Sequence, residues 1–392
     1  MPTKKICIAG GWYSSKNTGD QAILITITEL LKKRIPDAEF VVFCSDPGFI
    51  QRQYGFQSFN HRGQLLKQLW SLIWADLFII GGGTPFYDDW LHMLHFAILT
   101  FLAKVFNTRT MIYAASSQKL GTAYGKILTR YIFNAVDLIT IREKETIREI
   151  KNLGIRKKVH LTVDPAITLS AAPPGKVDAI LDREGLSASK RPFIGICLRP
   201  MVTSAFHVHH YQLLSVKEIE HFKQMLTRIA DYLTETGTVV FVPMHTVAPD
   251  DDCQFAREII GRMRNSSAVK SIENAYSPQE NKGILGQLDL VIGVRLHSLI
   301  LATSANVPGI AISYGHKISG FMDWIGLREF SYDIDKLDYE DLKKQIDYFL
   351  ANKDKMKEDL KQRMAILKKE AEENADKAAA LCVRPWEGHS RN

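Results

Sequence analysis

The stretch LDLVIGVRLHSLILATSANVPGIAISYGHK, residues 288–317, constrains the fold more than any other part of the chain. Residues 289–294 form a short apolar run, as a strand buried on both faces of a parallel sheet should. Residues 296–305 carry apolar side chains at helical spacing and stop at Asn306-Val307-Pro308. A second apolar run then leads to Ser313-Tyr314-Gly315-His316-Lys317. Strand, turn, helix and strand in this order make a βαβ unit, whose two strands run parallel. Arg295 and His297 stand in the turn, where a strand's C-terminal end meets a helix N-terminus. Open α/β sheets bind ligands in that crevice, and the N–H groups of the helix start favour an anion, phosphate above all. The plainer reading is a buried unit whose Arg and His have structural partners. The position, the pairing of a cation with an imidazole and the polar second strand end together favour a site.

The same alternation runs through the chain. Strand patterns at residues 6–9, 40–44, 77–80, 110–114, 138–141 and 160–163 alternate with helix patterns at 21–34, 65–74, 90–106, 123–134 and 143–153. Asp20 is expected to cap the first of these helices, and Asp88-Asp89 the third. From residue 170 to 192 the order lapses, with SAAPPGK and SASKRP flanking a short polar helix. It restarts with strands at 193–198, 238–242 and 289–294, separated by helices at 217–236, 251–263 and 278–287, and helices at 320–325, 339–351 and 355–380 close the chain. This predicts an α/β protein with two doubly wound parallel sheets. The expected divisions are a first domain at 1–170, a linker at 171–192, a second domain at 193–335, and C-terminal helices with a tail at 336–392; 392 residues suffice for two domains.

Charge and cysteine content narrow the function. A net charge of +7 suits an anionic ligand or an anionic membrane surface. No basic stripe interleaved with aromatics is present, so nucleic acid is not expected as a partner. Five scattered cysteines without a CxxC pair indicate neither a disulfide framework nor a zinc finger. Lys4-Lys5 precede an apolar run that breaks at Gly10-Gly11, unlike a secretory leader, and no segment has the ~18–20 apolar residues of a membrane span. A cytoplasmic location follows as the expectation, with peripheral contact at the inner membrane face as the lesser reading.

Parallel strands deliver their C-terminal ends to one side of a sheet, so residues distant in sequence gather there. In the second half those ends carry Arg199, His245, Arg295 with Leu296 and His297, and Tyr314 with His316 and Lys317. Arg grips phosphate or carboxylate with a planar fork, and His moves protons near neutral pH. Two arginines with imidazoles nearby describe a site for a small, highly charged anion. In the first half the candidates are the loop Gly10–Asp20 with Asn17 and Asp20, the wall Gly82-Gly83, and Arg142 after its strand. The competing readings are a tight βα turn for the glycines and an ion pair with the following helix for Arg142. His207, His209 and His210 read as a loop rather than a metal site, His92 and His95 as structural, and Asp250-Asp251-Asp252 as a helix cap rather than metal ligands. No metal and no cofactor are expected.

Several short motifs now fall into order. They are Asn17-Thr18-Gly19-Asp20 with Ala22-Ile23, Gly81-Gly82-Gly83, Thr140-Ile141-Arg142-Glu143, Asp164-Pro165-Ala166, Val242-Pro243-Met244-His245, Arg295-Leu296-His297 and Ile312-Ser313-Tyr314. As an ordered set they resemble the polysaccharide pyruvyl transferase family. One segment departs: after residues 110–114 many relatives have a glycine-rich loop ending in Gly-Pro, where this chain has Ala115-Ser116-Ser117-Gln118-Lys119-Leu120-Gly121. The two Rossmann-like halves also resemble the GT-B fold, with a substrate cleft between them. The resemblance implies transfer of pyruvate from phosphoenolpyruvate, as co-substrate, to two hydroxyls of a sugar in an oligosaccharide, polysaccharide or lipid-linked glycan. The products are a pyruvate ketal and phosphate. The family's Arg-Leu-His motif, implicated in donor binding and catalysis, maps onto Arg295, Leu296 and His297. On this reading Arg199 and Arg295 grip the donor's anionic ends, His297 donates a proton and His245 accepts one. Two alternatives share the fold: a GT-B glycosyltransferase using a sugar nucleotide, and a non-catalytic glycan-binding relative.

Overall fold

Apolar runs too short for helices become parallel strands, and the amphipathic runs between them cover both sheet faces. The computed structural model describes residues 3–201 and 214–383; His207, His209 and His210 lie outside the described residues. Contacts divide the chain into two units.

The first unit holds β1 (Lys4–Ala9), β2 (Ala38–Cys44), β3 (Gln57–Asn60), β4 (Leu77–Gly81), β5 (Arg109–Ala115), β6 (Leu138–Ile141) and β7 (Val159–Leu161). Their order is β3-β2-β1-β4-β5-β6-β7, with every pairing parallel. The second unit holds β8 (Phe193–Cys197), β9 (Thr238–Phe241), β10 (Val269–Ser271), β11 (Leu290–Gly293), β12 (Gly309–Ser313) and β13 (Ser331–Asp333), in the order β10-β9-β8-β11-β12-β13, again all parallel. Each sheet is doubly wound, and its direction of winding reverses once: between β1 and β4, and between β8 and β11. A crevice opens at such a switch because the loops on either side leave in opposite directions.

The edge strands β3, β10 and β13 escape a reading by pattern. They are three or four residues long and only partly buried, so no apolar run marks them. The contact division falls after Pro165, ahead of the expected linker at 171–192. The reason is helix Pro174–Arg183, which buries Val177, Ile180 and Leu181. Val177 sits where a Cβ on Gly283 would be, 2.4 Å from its Cγ2, so this segment packs on helix Pro278–Gly286 of the second unit. The C-terminal helix Tyr339–Val383 breaks at Asn352, close to where the sequence separates two helices. Residues 369–383 group with the first unit rather than standing apart. Asn374 Nδ2 donates to Thr162 Oγ1 at 2.5 Å, and Arg34 Nε to Asp376 Oδ1 at 2.6 Å.

Helix Pro278–Gly286 also buries a lysine. Lys282 is 4% exposed, and its Nζ donates to the Leu169 carbonyl at 2.6 Å. Burial, with a smaller push from Lys368, lowers its pKa to about 7. The unfolded chain then holds this proton up to about pH 10.4, whereas the folded chain releases it near 7. Stability therefore rises with pH between these values, and the full penalty, on the order of 4 kcal/mol, applies below pH 7. Replacing Lys282 with Met is expected to raise the thermal midpoint at pH 7 and to flatten its rise towards pH 10. Unchanged slopes in a melting series across that range would contradict this.

Candidate functional site

β8 and β11 flank the switch point of the second sheet, and Cys197 pairs with Gly293 across them. Arg199 and Arg295 each stand two residues beyond that pair. The parallel register thus delivers both guanidinium groups to one crevice. Both arginines are 7% exposed.

Neither guanidinium stands without carboxylates. Arg295 grips Asp252 with a two-pronged contact, Nε to Oδ2 at 2.8 Å and Nη2 to Oδ1 at 2.6 Å. It also reaches Asp250, with Nη1 to Oδ2 at 3.2 Å and Nη2 to the backbone carbonyl at 3.1 Å. Burial opposes the Arg295 charge, but Asp252 and Asp250 more than offset it and hold its pKa above the ordinary value. Asp252 is 2% exposed, and its Oδ2 accepts from the backbone N–H groups of Met244 and His245, each at 2.9 Å. Burial pushes this carboxyl up, with Arg295 and the Met244 N–H pulling against it. Asp250 also lies 3.8 Å from Arg199 Nε, and the Arg199 guanidinium stacks over the Tyr314 ring at 4.5 Å. Two arginines and two aspartates here balance in formal charge.

Two imidazoles border this cluster. His245, beyond β9, places Nδ1 2.8 Å from the Asp250 carbonyl. A carbonyl only accepts, so Nδ1 carries the proton and Nε2 of the neutral ring is the acceptor. His297 lies in the first turn of helix Leu296–Ser304, against Gly19. A Cβ on Gly19 would fall 2.1 Å from His297 Nδ1. The segment carrying Gly19 is fixed to the second unit by its own bonds. Thr18 N donates to the Met244 carbonyl at 2.8 Å, Asn17 bridges to His245, and Asn281 Nδ2 donates to Thr18 Oγ1 at 3.0 Å.

Residues 17–316 match the family model for polysaccharide pyruvyl transferases. The chain belongs to that family. A relative, the amylovoran biosynthesis protein AmsJ of Erwinia amylovora, is 24% identical over 218 residues, which is 54% of this chain and 50% of AmsJ. The match thus spans half the length of that relative. Among solved structures, a Listeria monocytogenes protein assigned as a UDP-N-acetylglucosamine 2-epimerase superposes with a TM-score of 0.60 at 14% identity, covering 96% of this chain and 95% of the other. UDP-GlcNAc 2-epimerase of Methanocaldococcus jannaschii gives 0.56 at 12% identity, covering 88% and 92%. UGT71G1 of Medicago truncatula gives 0.54 at 9%, covering 96% and 98%. These likenesses establish a GT-B-like fold of two Rossmann-like units.

The pyruvyl transferase motifs meet different fates in the structure. Asn17, Thr18, Gly19, His245, Arg295 and His297 come together, and Leu296 follows Arg295 into the helix. Asp20 is not the helix cap. Helix Thr18–Arg34 starts earlier, and Asn17 Oδ1 accepts from the N–H groups of Gly19 and Asp20 at 2.9 and 3.3 Å. His316 and Lys317 open helix His316–Trp324, His316 exposed and Lys317 half-buried.

In the first unit Gly82 and Gly83 are buried, with φ of +64° and +70°, a region that favours glycine. A Cβ on Gly82 would lie 2.0 Å from Ile23 Cγ2, so the space a side chain would take there is filled by Ile23 of helix Thr18–Arg34. Arg142 is buried too. It bonds to Asp164 and lies 3.8 Å from Glu143, so its main partner is a carboxylate beyond β7 rather than a solvated pair with the next helix. Asp89 caps helix Trp90–Val105 and Asp251 caps helix Asp252–Ile260, both as expected. Asp250 and Asp252, read from sequence only as part of a helix cap, are instead the carboxylate partners of the site's arginines. A clue to the aspartates exists: a buried arginine requires a carboxylate, and Asp250-Asp251-Asp252 follows a neighbouring strand end.

Two substitutions separate packing from charge. Asp252→Ala leaves Arg295 buried without its main partner, a loss of about 3–5 kcal/mol, and the thermal midpoint is expected to fall by roughly 10 °C. Joint replacement of Asp252 by Leu and Arg295 by Met is expected to recover most of that fall; no recovery would remove the ion pair as the cause. Gly19→Ala is expected to keep the fold but drive the His297 ring from its seat, visible as a shift of its imidazole NMR signals alone.

Proposed function

We propose that the chain transfers pyruvate from phosphoenolpyruvate to two hydroxyls of a sugar acceptor, forming a cyclic ketal and releasing phosphate. The observation that supports this most is the pair Arg199 and Arg295 at the switch point, with His297 two residues past Arg295 and His245 beyond the neighbouring strand β9. Phosphoenolpyruvate carries a carboxylate and a phosphate of roughly −1.5 to −2 charge by analogy with phosphoserine. The local balance of two arginines and two aspartates leaves no charge surplus for it. Asp250, partly exposed at the rim, therefore gives way on Arg199 as the donor's anionic group arrives. Arg295 stays with buried Asp252, and its Nη1, bonded to Asp250 Oδ2 at 3.2 Å, turns to the donor as Asp250 moves.

The chemistry follows from these positions. His297, as imidazolium, protonates the methylene carbon of the enol. A sugar hydroxyl attacks the neighbouring carbon and gives its proton to His245 Nε2, which the Asp250 carbonyl holds in the accepting tautomer. Phosphate leaves with the C–O electron pair and takes up a proton. The second hydroxyl closes the ketal and releases the last one. Such proton transfers typically contribute about 10²–10⁴-fold in rate.

The test is phosphate release from phosphoenolpyruvate with a panel of glycan acceptors. Release is expected to require an acceptor, and in D₂O the new methyl group gains one deuterium. His297→Ala is expected to lower turnover by about 10²–10⁴-fold with donor affinity kept. Asp250→Asn is expected to tighten donor binding several-fold by removing the competing charge. Transfer of a sugar from a UDP-sugar, with phosphoenolpyruvate inert, would replace this reading with a glycosyltransferase.

A further inference from the structure

We propose that the first unit docks on an anionic lipid surface through three neighbouring helices: Leu65–Ile73, Trp90–Val105 and Ala123–Ala135. The first packs on the second and the second on the third. Their inner faces share one core with a face of the first sheet, through Leu72, Phe96, Leu99 and Phe133. Their outer faces expose large apolar side chains. Leu66, Trp70 and Trp74 are 81%, 64% and 59% exposed. On the second helix Leu91, Ile98, Phe101 and Val105 recur at helical spacing and are 37–74% exposed, and Ile127 on the third is 65% exposed. The patch is therefore shared by three adjacent elements rather than being a scatter of single residues, and soluble surfaces seldom carry such a group without a partner.

Charge decides which partner. The three helices contain Lys67, Lys104, Lys126 and Arg130 and not one Asp or Glu. Lys104 pairs with Asp137 from outside them; Lys67, Lys126 and Arg130 are exposed. A protein partner with an apolar face would be served by a mixed rim. The acidic residues at the helix ends are each engaged: Asp76 with Lys4, Asp88 with Thr122, Asp89 with the His92 N–H and Asp137 with Lys104. That leaves a basic surplus beside exposed Trp and Leu, which fits the headgroup region of an anionic bilayer, where aromatic and aliphatic side chains enter the acyl boundary and Lys and Arg meet lipid charge. Among the described residues no helix is long and apolar enough to cross a membrane, so this is contact with the surface and not insertion. The inference stands apart from the donor chemistry, since no residue of the second unit takes part in it.

The test is flotation of the whole chain with vesicles of pure phosphatidylcholine and with vesicles containing phosphatidylglycerol. The chain is expected to float with the anionic vesicles at low salt, to bind neutral ones far less, and to be released as salt rises. Trp70→Ser with Phe101→Ser is expected to lower partitioning on the order of a hundredfold. Lys126→Glu with Arg130→Glu is expected to lower it by at least roughly fivefold per charge. All four positions are exposed, so thermal midpoints should hold, and a melting curve checks that. No flotation with anionic vesicles at low salt overturns the proposal. So does equal binding to neutral vesicles. A concentration-dependent dimer dispersed by the Trp70 and Phe101 changes, without vesicle binding, would assign the face to a second copy instead.

Discussion

The ion pair between Arg295 and Asp252 is the interaction on which the second unit's functional end depends. Asp252 is held by Arg295 from one strand end and by the N–H groups of Met244 and His245 from another. One carboxylate thus ties the segments after β9 and β11 together. Around it the positions of both imidazoles are set: His245 through Asp250, and His297 through the helix that Arg295 begins. A buried pair of this kind is weak evidence of stability, because taking two charges out of water costs about what their attraction returns. What it supplies here is placement. Replacing both partners with apolar groups would keep a folded unit without a reason for the loop after β9 to stay where it is.

The two sheets share one topology and use their switch points differently. In the first sheet the loops beside β1 and β4 carry Gly10 and Gly82, and the backbone there approaches so closely that a Cβ on Gly10 would lie 3.1 Å from Gly81 N. Glycine serves packing at that point, since Ile23 fills the space beside Gly82. In the second sheet the corresponding loops carry Arg199 and Arg295, whose charge is met by aspartates. Identical winding therefore yields a close-packed seam in one unit and a polar, charge-balanced crevice in the other. Fold alone does not say which; the side chains at the strand ends do.

Much of this was legible from sequence because the physics is local. Buried parallel strands are apolar runs, and their alternation with helices fixed the α/β class before any contact was known. The stop at Asn306 is visible for the same reason: Asn tolerates the left-handed backbone that this helix end adopts, at φ +64°. What stayed hidden depends on partners distant in sequence. Arg295 read as a cation available to an anion, because nothing in its neighbourhood shows Asp252. At Gly82 the close approach of Ile23 is likewise not written beside it. Asp20 read as a cap, while Asn17 does that work, and the edge strands were too short and too wet to leave a pattern.

The central claim is that the switch point of the second sheet receives an anionic donor on Arg199 once Asp250 yields. Calorimetric titration of phosphoenolpyruvate, phosphate and UDP into the native chain and into Arg199→Ala tests it most directly. The account predicts that phosphoenolpyruvate binds more tightly than phosphate, that UDP gives no heat, and that Arg199→Ala loses at least about tenfold in donor affinity, as loss of a charge-assisted contact should. Unchanged affinity in Arg199→Ala, or binding of UDP in place of phosphoenolpyruvate, would contradict it.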